Sequence, residues 1–313
     1  MQGTIYYQTS QLVKIIFKAE AKKFERIDTN HENFKKIASY ETMKTYRRVW
    51  NNLFKYLRIH WKVKDCVLIE VHHIEAYLVY KIDGRFPSEK YIEKNCSAAG
   101  KLEDALNLLQ EQNYNPRSRY EKRKYDFSIR HTILKNSKKA KLLTDNYHNR
   151  AYKNPYQLIE YFDNPKHRLA AKIELQGGAR VEGCEYIKEK QLLGYEIDPI
   201  TNQLKGKLIT KEKGGKIGEI YIDVETYEEL ENHIQEFKIF KIDRQQYYKE
   251  IRKACATLKI RAEGTHGFRW NFAERRVLEY TENGHYYEQA LQAVSYEMKH
   301  KRAYITKHYL GGK

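Results

Sequence analysis

The sequence predicts a mainly α protein with a small antiparallel sheet (α+β), divided into two domains. Three observations predict this. Apolar residues recur three and four apart through most of the first half. Strand-like alternation is confined to one stretch, 204–222, centred on two glycines. The chain has 313 residues, 41% of them hydrophobic, which is enough for two separate cores.

The elements follow in order. Leu12, Ile15, Ile16, Phe24 and Ile27 suggest a helix within 11–27. Met43, Tyr46, Trp50, Leu53, Phe54 and Leu57 form a one-sided apolar stripe over 40–58, with Lys44, Arg47, Arg48 and Lys55 opposite. Val71, Ile74 and Leu78 predict a helix over 67–82 that ends near Gly84. A fourth helix, interrupted, is expected from Ser88, after Pro87, to Gln110. Residues 1–111 therefore read as a helical domain. Residues 112–150 change character. Pro116 is followed by Arg117, Arg119, Lys122, Arg123 and Lys124, then by Arg130, Lys135, Lys138, Lys139 and Lys141. This stretch is expected to be a basic connector. Residues 151–313 form the second domain, with helices at 154–162 and 165–177. A hairpin turns at Gly214-Gly215 between Lys207-Leu208-Ile209-Thr210 and Ile220-Tyr221-Ile222. Helices resume from 225, broken at Gly264 and at Asn283-Gly284.

Charge limits the partners. With 58 basic and 41 acidic residues the net charge is +17, which favours a polyanion. Nucleic acid fits better than a membrane, because no basic amphipathic anchor or lipidation motif is present. No run of 18 apolar residues occurs, and Met1-Gln2-Gly3-Thr4 lacks the basic-then-apolar pattern of a signal peptide. The default compartment is the cytoplasm. Cys66, Cys96, Cys184 and Cys255 are scattered, with no CxxC pair, so free thiols are expected in place of zinc ligands or disulfides.

Four local patterns in the second domain belong together. Gly177-Gly178-Ala179-Arg180-Val181-Glu182 places an arginine just after a helix that ends at glycines. Lys211-Glu212-Lys213-Gly214-Gly215-Lys216 forms the hairpin turn and is no P-loop, since GxxxxGK[ST] is absent. Thr265-His266-Gly267-Phe268-Arg269 carries the single His-x-x-Arg of the chain, whose two side chains share one helix face. Met298-Lys299-His300 is followed nine residues later by Tyr309. Each pattern alone is weak, and Tyr309 is one tyrosine among 27.

In this order and spacing the residues resemble the tyrosine recombinase family, the phage integrases and Xer-type site-specific recombinases. The family's active-site residues correspond to Arg180, Lys213, His266, Arg269, His300 and Tyr309. His266-Gly267-Phe268-Arg269, with Phe272-Ala273 following, looks like the family's His-x-Leu-Arg box. Met298-Lys299-His300 stands where Leu-Gly-His is common, and Ile305-Thr306-Lys307-His308-Tyr309-Leu310 looks like the segment bearing the nucleophile. The motifs cover about 150–313, and the helices at 40–110 resemble the family's core-binding domain. The family usually has an acid three positions after the first arginine. Position 183 is glycine here, so Glu182, with Glu185 as a second candidate, is the expected supporting acid. Only Leu310-Gly311-Gly312-Lys313 follow Tyr309, so another segment, such as the helix in 11–27, is expected to make subunit contacts.

The resemblance implies a definite chemistry. Arg180 and Arg269 would clamp the scissile phosphate with fixed forks of donors. Tyr309 would attack, with His266 as proton acceptor or phosphate ligand and His300 donating to a phosphate oxygen. Lys213 would protonate the leaving 5′-oxygen, leaving a 3′-phosphotyrosyl link. Neither ATP nor a metal is required, and no cofactor is expected. The implied partner is double-stranded DNA with an inverted-repeat core site, bound by a homo-oligomer, a dimer or tetramer on DNA, for integration, excision or resolution. Two rivals use the same residues or the same fold: type IB topoisomerase-like relaxation, and a non-catalytic DNA-binding protein.

Overall fold

The computed structural model describes every residue except Gln2, Gly84, 114–121, Asn146, Lys213, Gly214, Lys301, Gly312 and Lys313. The chain divides into two compact units, Met1–Asn146 and Tyr147–Lys313.

The first unit is helical: α1 (Ile5–Ile16), α2 (Lys23–Ile27), α3 (Tyr40–His60), α4 (Val71–Ile82), α5 (Glu89–Asn113) and α6 (Ile129–Lys139). The stripe of α3 forms its centre, with Trp50, Leu53 and Leu57 buried and the Trp50 indole donating to the Ala98 carbonyl at 2.8 Å. That bond satisfies the one polar group of an otherwise apolar ring. The stretch expected as one helix over 11–27 is two. Phe17 leaves α1 extended, bridges Ile37, and Glu20 takes a left-handed φ of 62° before α2 begins. Helix α5 runs uninterrupted through Gly100, where an added Cβ would come within 3.0 Å of the Arg130 guanidinium. Part of the stretch read as a connector folds with this unit. Asn107 on α5 pairs with both the N–H and the carbonyl of Tyr125, and Arg130 on α6 bonds Glu103 at 2.8 Å. Pro116, Arg117 and Arg119 lie outside the described residues.

The second unit contains α7 (Pro155–Glu160), α8 (Pro165–Gly177), the single turn α9 (Val181–Cys184), β1 (Tyr186–Lys188), β2 (Leu192–Ile197), β3 (Leu204–Glu212), β4 (Lys216–Ile222), α10 (Val224–Phe237), β5 (Ile239–Lys241), α11 (Arg244–Thr257), α12 (Thr265–Glu282), α13 (Tyr287–Glu297) and α14 (Ala303–Tyr309). The chain is thus mainly α, with two small antiparallel sheets where one was expected: β2-β3-β4 and the pair β1-β5. The extra strands escaped the pattern because β1 and β5 have three residues each and β2 is mostly exposed. One core packs α7, α8, α10 and α11 with the sheet around Ile173, Leu208, Leu230 and Phe240. A second core, Phe272, Val277, Leu291 and Val294, joins α12, α13 and α14. All four cysteines are buried free thiols. No helix among the described residues is long and apolar enough to cross a membrane.

Gly178 joins the two cores. It caps α8 with a left-handed φ of 63°, and an added Cβ would lie 2.3 Å from the Phe272 ring on α12. The left-handed backbone and the clash act together. Gly178→Ala is expected to cost about 2–4 kcal/mol in urea unfolding. A loss well under 1 kcal/mol would contradict this packing.

Candidate active site

The site is built where helix ends meet. Helix α8 stops at Gly178, and Arg180 is the residue that opens α9. Helix α12 begins after Gly264, with His266 and Arg269 in its first turns. Helix α13 ends at Met298, and Lys299 turns the chain with a left-handed φ of 58° to deliver His300. The short α14 then ends on Tyr309.

Arg269 is 1% exposed. One guanidinium nitrogen donates to the Gly178 carbonyl and the other to the Met298 carbonyl. Both acceptors are helix-end carbonyls without intrahelical partners, at the negative ends of α8 and α13, where a cation is favoured. Its Nε has no hydrogen-bond partner. Arg180 Nη2 lies 3.0 Å from His300 Nε2, and Arg269 Nη2 lies 3.3 Å from the same atom. Two donors aimed at one ring nitrogen make Nε2 an acceptor, so the ring proton belongs on Nδ1. In this arrangement Nε2 has no hydrogen to donate. Burial, then Arg269 and Arg180, push the His300 pKa down to about 3. His266 keeps an exposed edge. Desolvation of the rest of its ring, with Arg150, Arg269 and Arg180 around it, brings its pKa to about 4. Both imidazoles are therefore neutral at pH 7.

Tyr309 is 7% exposed and interacts with the Arg269 guanidinium. Its ring packs against Trp270 and His300, with centroids 5.4 and 6.3 Å apart. The structure thus brings together Arg180, His266, Arg269, His300 and Tyr309. Lys213 lies outside the described residues. Its neighbours are placed. Lys211 is exposed, whereas Lys216 opposes Glu212 across the hairpin and donates to the Lys299 carbonyl at 2.7 Å.

Glu182 and Glu185 turn elsewhere, to Arg244, at 3.6 and 2.5 Å. The carboxylate beside the arginines is Glu212, which pairs with Arg180 and stands 4.0 Å from Arg269. Sequence reasoning missed it, although a signal existed. Leu208, Thr210 and Glu212 alternate on the buried face of β3, so a period of two places Glu212 inward. Lys299, Trp270 and Tyr147 were missed as well. The Tyr147 hydroxyl donates to the His308 carbonyl at 2.8 Å, holding the residue next to Tyr309. Among the described residues no cluster could hold a metal ion.

No protein-family profile matches the sequence, and no curated protein matches it. Solved structures do. A pre-cleavage complex of the XerH site-specific recombinase with its difH substrate superposes with a TM-score of 0.62 at 14% identity, covering 99% of this chain and 93% of that one. The post-cleavage XerH complex on a palindromic difH substrate gives 0.59 at 16% identity, covering 97% and 89%. A lambda integrase dimer bound to a COC′ core site gives 0.57 at 14%, covering 96% and 76%. The chain has the tyrosine recombinase fold.

Within this recombinase fold the depressed His300 pKa has a measurable consequence. A histidine whose folded pKa lies below its unfolded value, about 6.5, takes up its proton more readily on unfolding. Its stabilising effect is complete above pH of about 6.5 and is lost as the pH falls toward the folded value. Thermal unfolding midpoints should therefore drop as pH falls from about 6.5 to about 4, and His300→Asn should flatten that drop. Parallel midpoint-versus-pH curves for the two proteins would contradict the assignment.

Proposed function

We propose that this chain is a site-specific DNA recombinase that cuts and rejoins strands through a 3′-phosphotyrosyl intermediate on Tyr309. The observation that carries the reading is the convergence of a buried tyrosine, two arginines and two neutral histidines at one meeting of helix ends. The net charge of +17 suits a DNA partner. The fold likeness to DNA-bound XerH and lambda integrase runs through both units, which supports recombination over relaxation by a lone catalytic domain.

In the proposed reaction the Tyr309 oxygen attacks phosphorus and the P–O5′ bond breaks. Arg180 and Arg269 stabilise the charge that gathers on the non-bridging oxygens. The phenolic proton passes to neutral His266, and Lys213 protonates the departing 5′-oxygen. A bound phosphate brings a negative charge beside both histidines and raises their pKa values. As the guanidinium groups turn to the phosphate, His300 Nε2 is released and can take up a proton to bond a phosphate oxygen. The second strand's 5′-hydroxyl then attacks the phosphotyrosine and gives its proton to the neutral Lys213 amine. The P–O5′ bond re-forms, the bond from phosphorus to the Tyr309 oxygen breaks, and His266 returns the phenolic proton. The chain acts as a dimer or tetramer on an inverted-repeat site.

Nicked duplexes with randomised flanks test this, because such a pool offers a cleavable site whatever the target sequence. Wild type should give an adduct that survives SDS, and Tyr309→Phe should give none. Arg180→Ala should slow the adduct by about 10²–10³-fold. Binding without any adduct from wild type would leave a non-catalytic DNA-binding protein, and equal adduct from wild type and Tyr309→Phe would move the nucleophile to another residue. Relaxation of plasmid without exchange between two captured sites would leave a topoisomerase.

A further inference from the structure

We propose that Glu212 and Lys299 are positioning residues for the arginine clamp, a carboxylate–lysine pair supplied by β3 and by the turn after α13. The inference rests on the reading of the site as a phosphodiester-cleaving centre.

Glu212 closes β3 with its side chain fully shielded from solvent. One carboxylate oxygen accepts from the Arg180 backbone N–H at 3.2 Å and from Lys299 Nζ at 2.8 Å. The other accepts from Arg180 Nη1 and faces Arg269 Nη1 at 4.0 Å. Arg180 is thereby tied to one carboxylate through both its main chain and its guanidinium. Burial alone would raise the carboxyl pKa, but Lys299 and Arg269 bring it below its ordinary value. A buried carboxylate with this many donors stays ionised.

Lys299 completes the arrangement. Its side chain is 6% exposed and its ammonium also donates to Thr210 Oγ1 at 2.6 Å. Its stem lies on β4 at Gly218, where a Cβ would come within 2.8 Å of Lys299 Cε. The strand therefore carries a glycine where the lysine passes. Gly183, three positions after Arg180, is the counterpart on α9. A Cβ there would meet Thr210 Cβ at 3.1 Å and Glu212 Cγ at 3.2 Å. The space a side chain from α9 would fill is already taken from β3.

The electrostatics give each partner a reason. Arg180, Arg269 and Lys299 bring three positive charges together, and Glu212 is the carboxylate among them. Without Glu212 the cations repel and Arg180 loses its anchor. Without Lys299 the carboxylate would cancel one arginine. With both present, two arginine charges remain for a phosphate whose transition state carries extra negative charge.

The experiment uses the whole chain and a nicked duplex that wild type cleaves. It compares Glu212→Asp, Glu212→Gln, Lys299→Met and the double variant Glu212→Gln/Lys299→Met. The double variant removes one charge of each sign, so it should fold and hold the duplex as wild type does while forming adduct about 10²-fold more slowly. Glu212→Asp keeps the charge and should recover part of the rate that Glu212→Gln loses, again with duplex affinity unchanged. Binding of inorganic tungstate, a phosphate mimic, should weaken in the double variant. If the double variant cleaves as fast as wild type, or if Glu212→Asp and Glu212→Gln lose the same rate, the positioning role is overturned while the recombinase reading stands. If wild type neither forms adduct nor binds tungstate, both fall together.

Discussion

The site depends on where the Arg269 guanidinium lies. It is a cation shielded from water, and such burial is costly unless every donor finds an acceptor. Its acceptors are the terminal carbonyls of α8 and α13. One precedes Arg180 by two residues and the other precedes His300 by two. Arg269 itself shares α12 with His266. A single side chain therefore holds together the three segments that carry Arg180, His266 and His300. Its two terminal nitrogens satisfy carbonyls that helix geometry leaves unpaired, while its Nε has no hydrogen-bond partner.

Glu212 and Lys299 extend the same logic sideways. Two arginines close enough to share one imidazole nitrogen would repel without a counter-charge, and the sheet provides it from β3. Placing the carboxylate on a strand gives it a rigid base, since Leu208 and Thr210 on the same face are fully buried. The site is thus compact and self-paired, with His300 accepting from both arginines. Phosphate binding, in the proposed reaction, exchanges these internal bonds for bonds to the substrate. Tyr309 needs no long journey in this account, because its ring already rests on Trp270 and His300.

Much of this was legible in the sequence, for physical reasons. The α3 stripe around Trp50 and the α8 boundaries stood out because burial on one face imposes a period and glycine marks a helix end. Arg180, His266, Arg269, His300 and Tyr309 were singled out by their joint order and spacing, through a family resemblance, since each pattern alone is weak. What escaped depended on long-range pairing. A glutamate and a lysine 87 positions apart carry no joint signal along the chain, and only the fold sets them 2.8 Å apart. Glu182 and Glu185 were attractive by proximity in sequence, yet the turn of α9 directs both to Arg244. The break between α1 and α2 was hidden because apolar residues continue across it while the backbone does not.

The most direct measurement is the identity of the residue and the bond that join protein to DNA. The covalent adduct would be trapped on a nicked duplex, digested with nuclease and protease, and mapped by mass spectrometry. The account predicts a single nucleotide-bearing peptide, with Tyr309 linked through a 3′-phosphate. A nucleotide on any other residue, or a linkage through a 5′-phosphate, would contradict it.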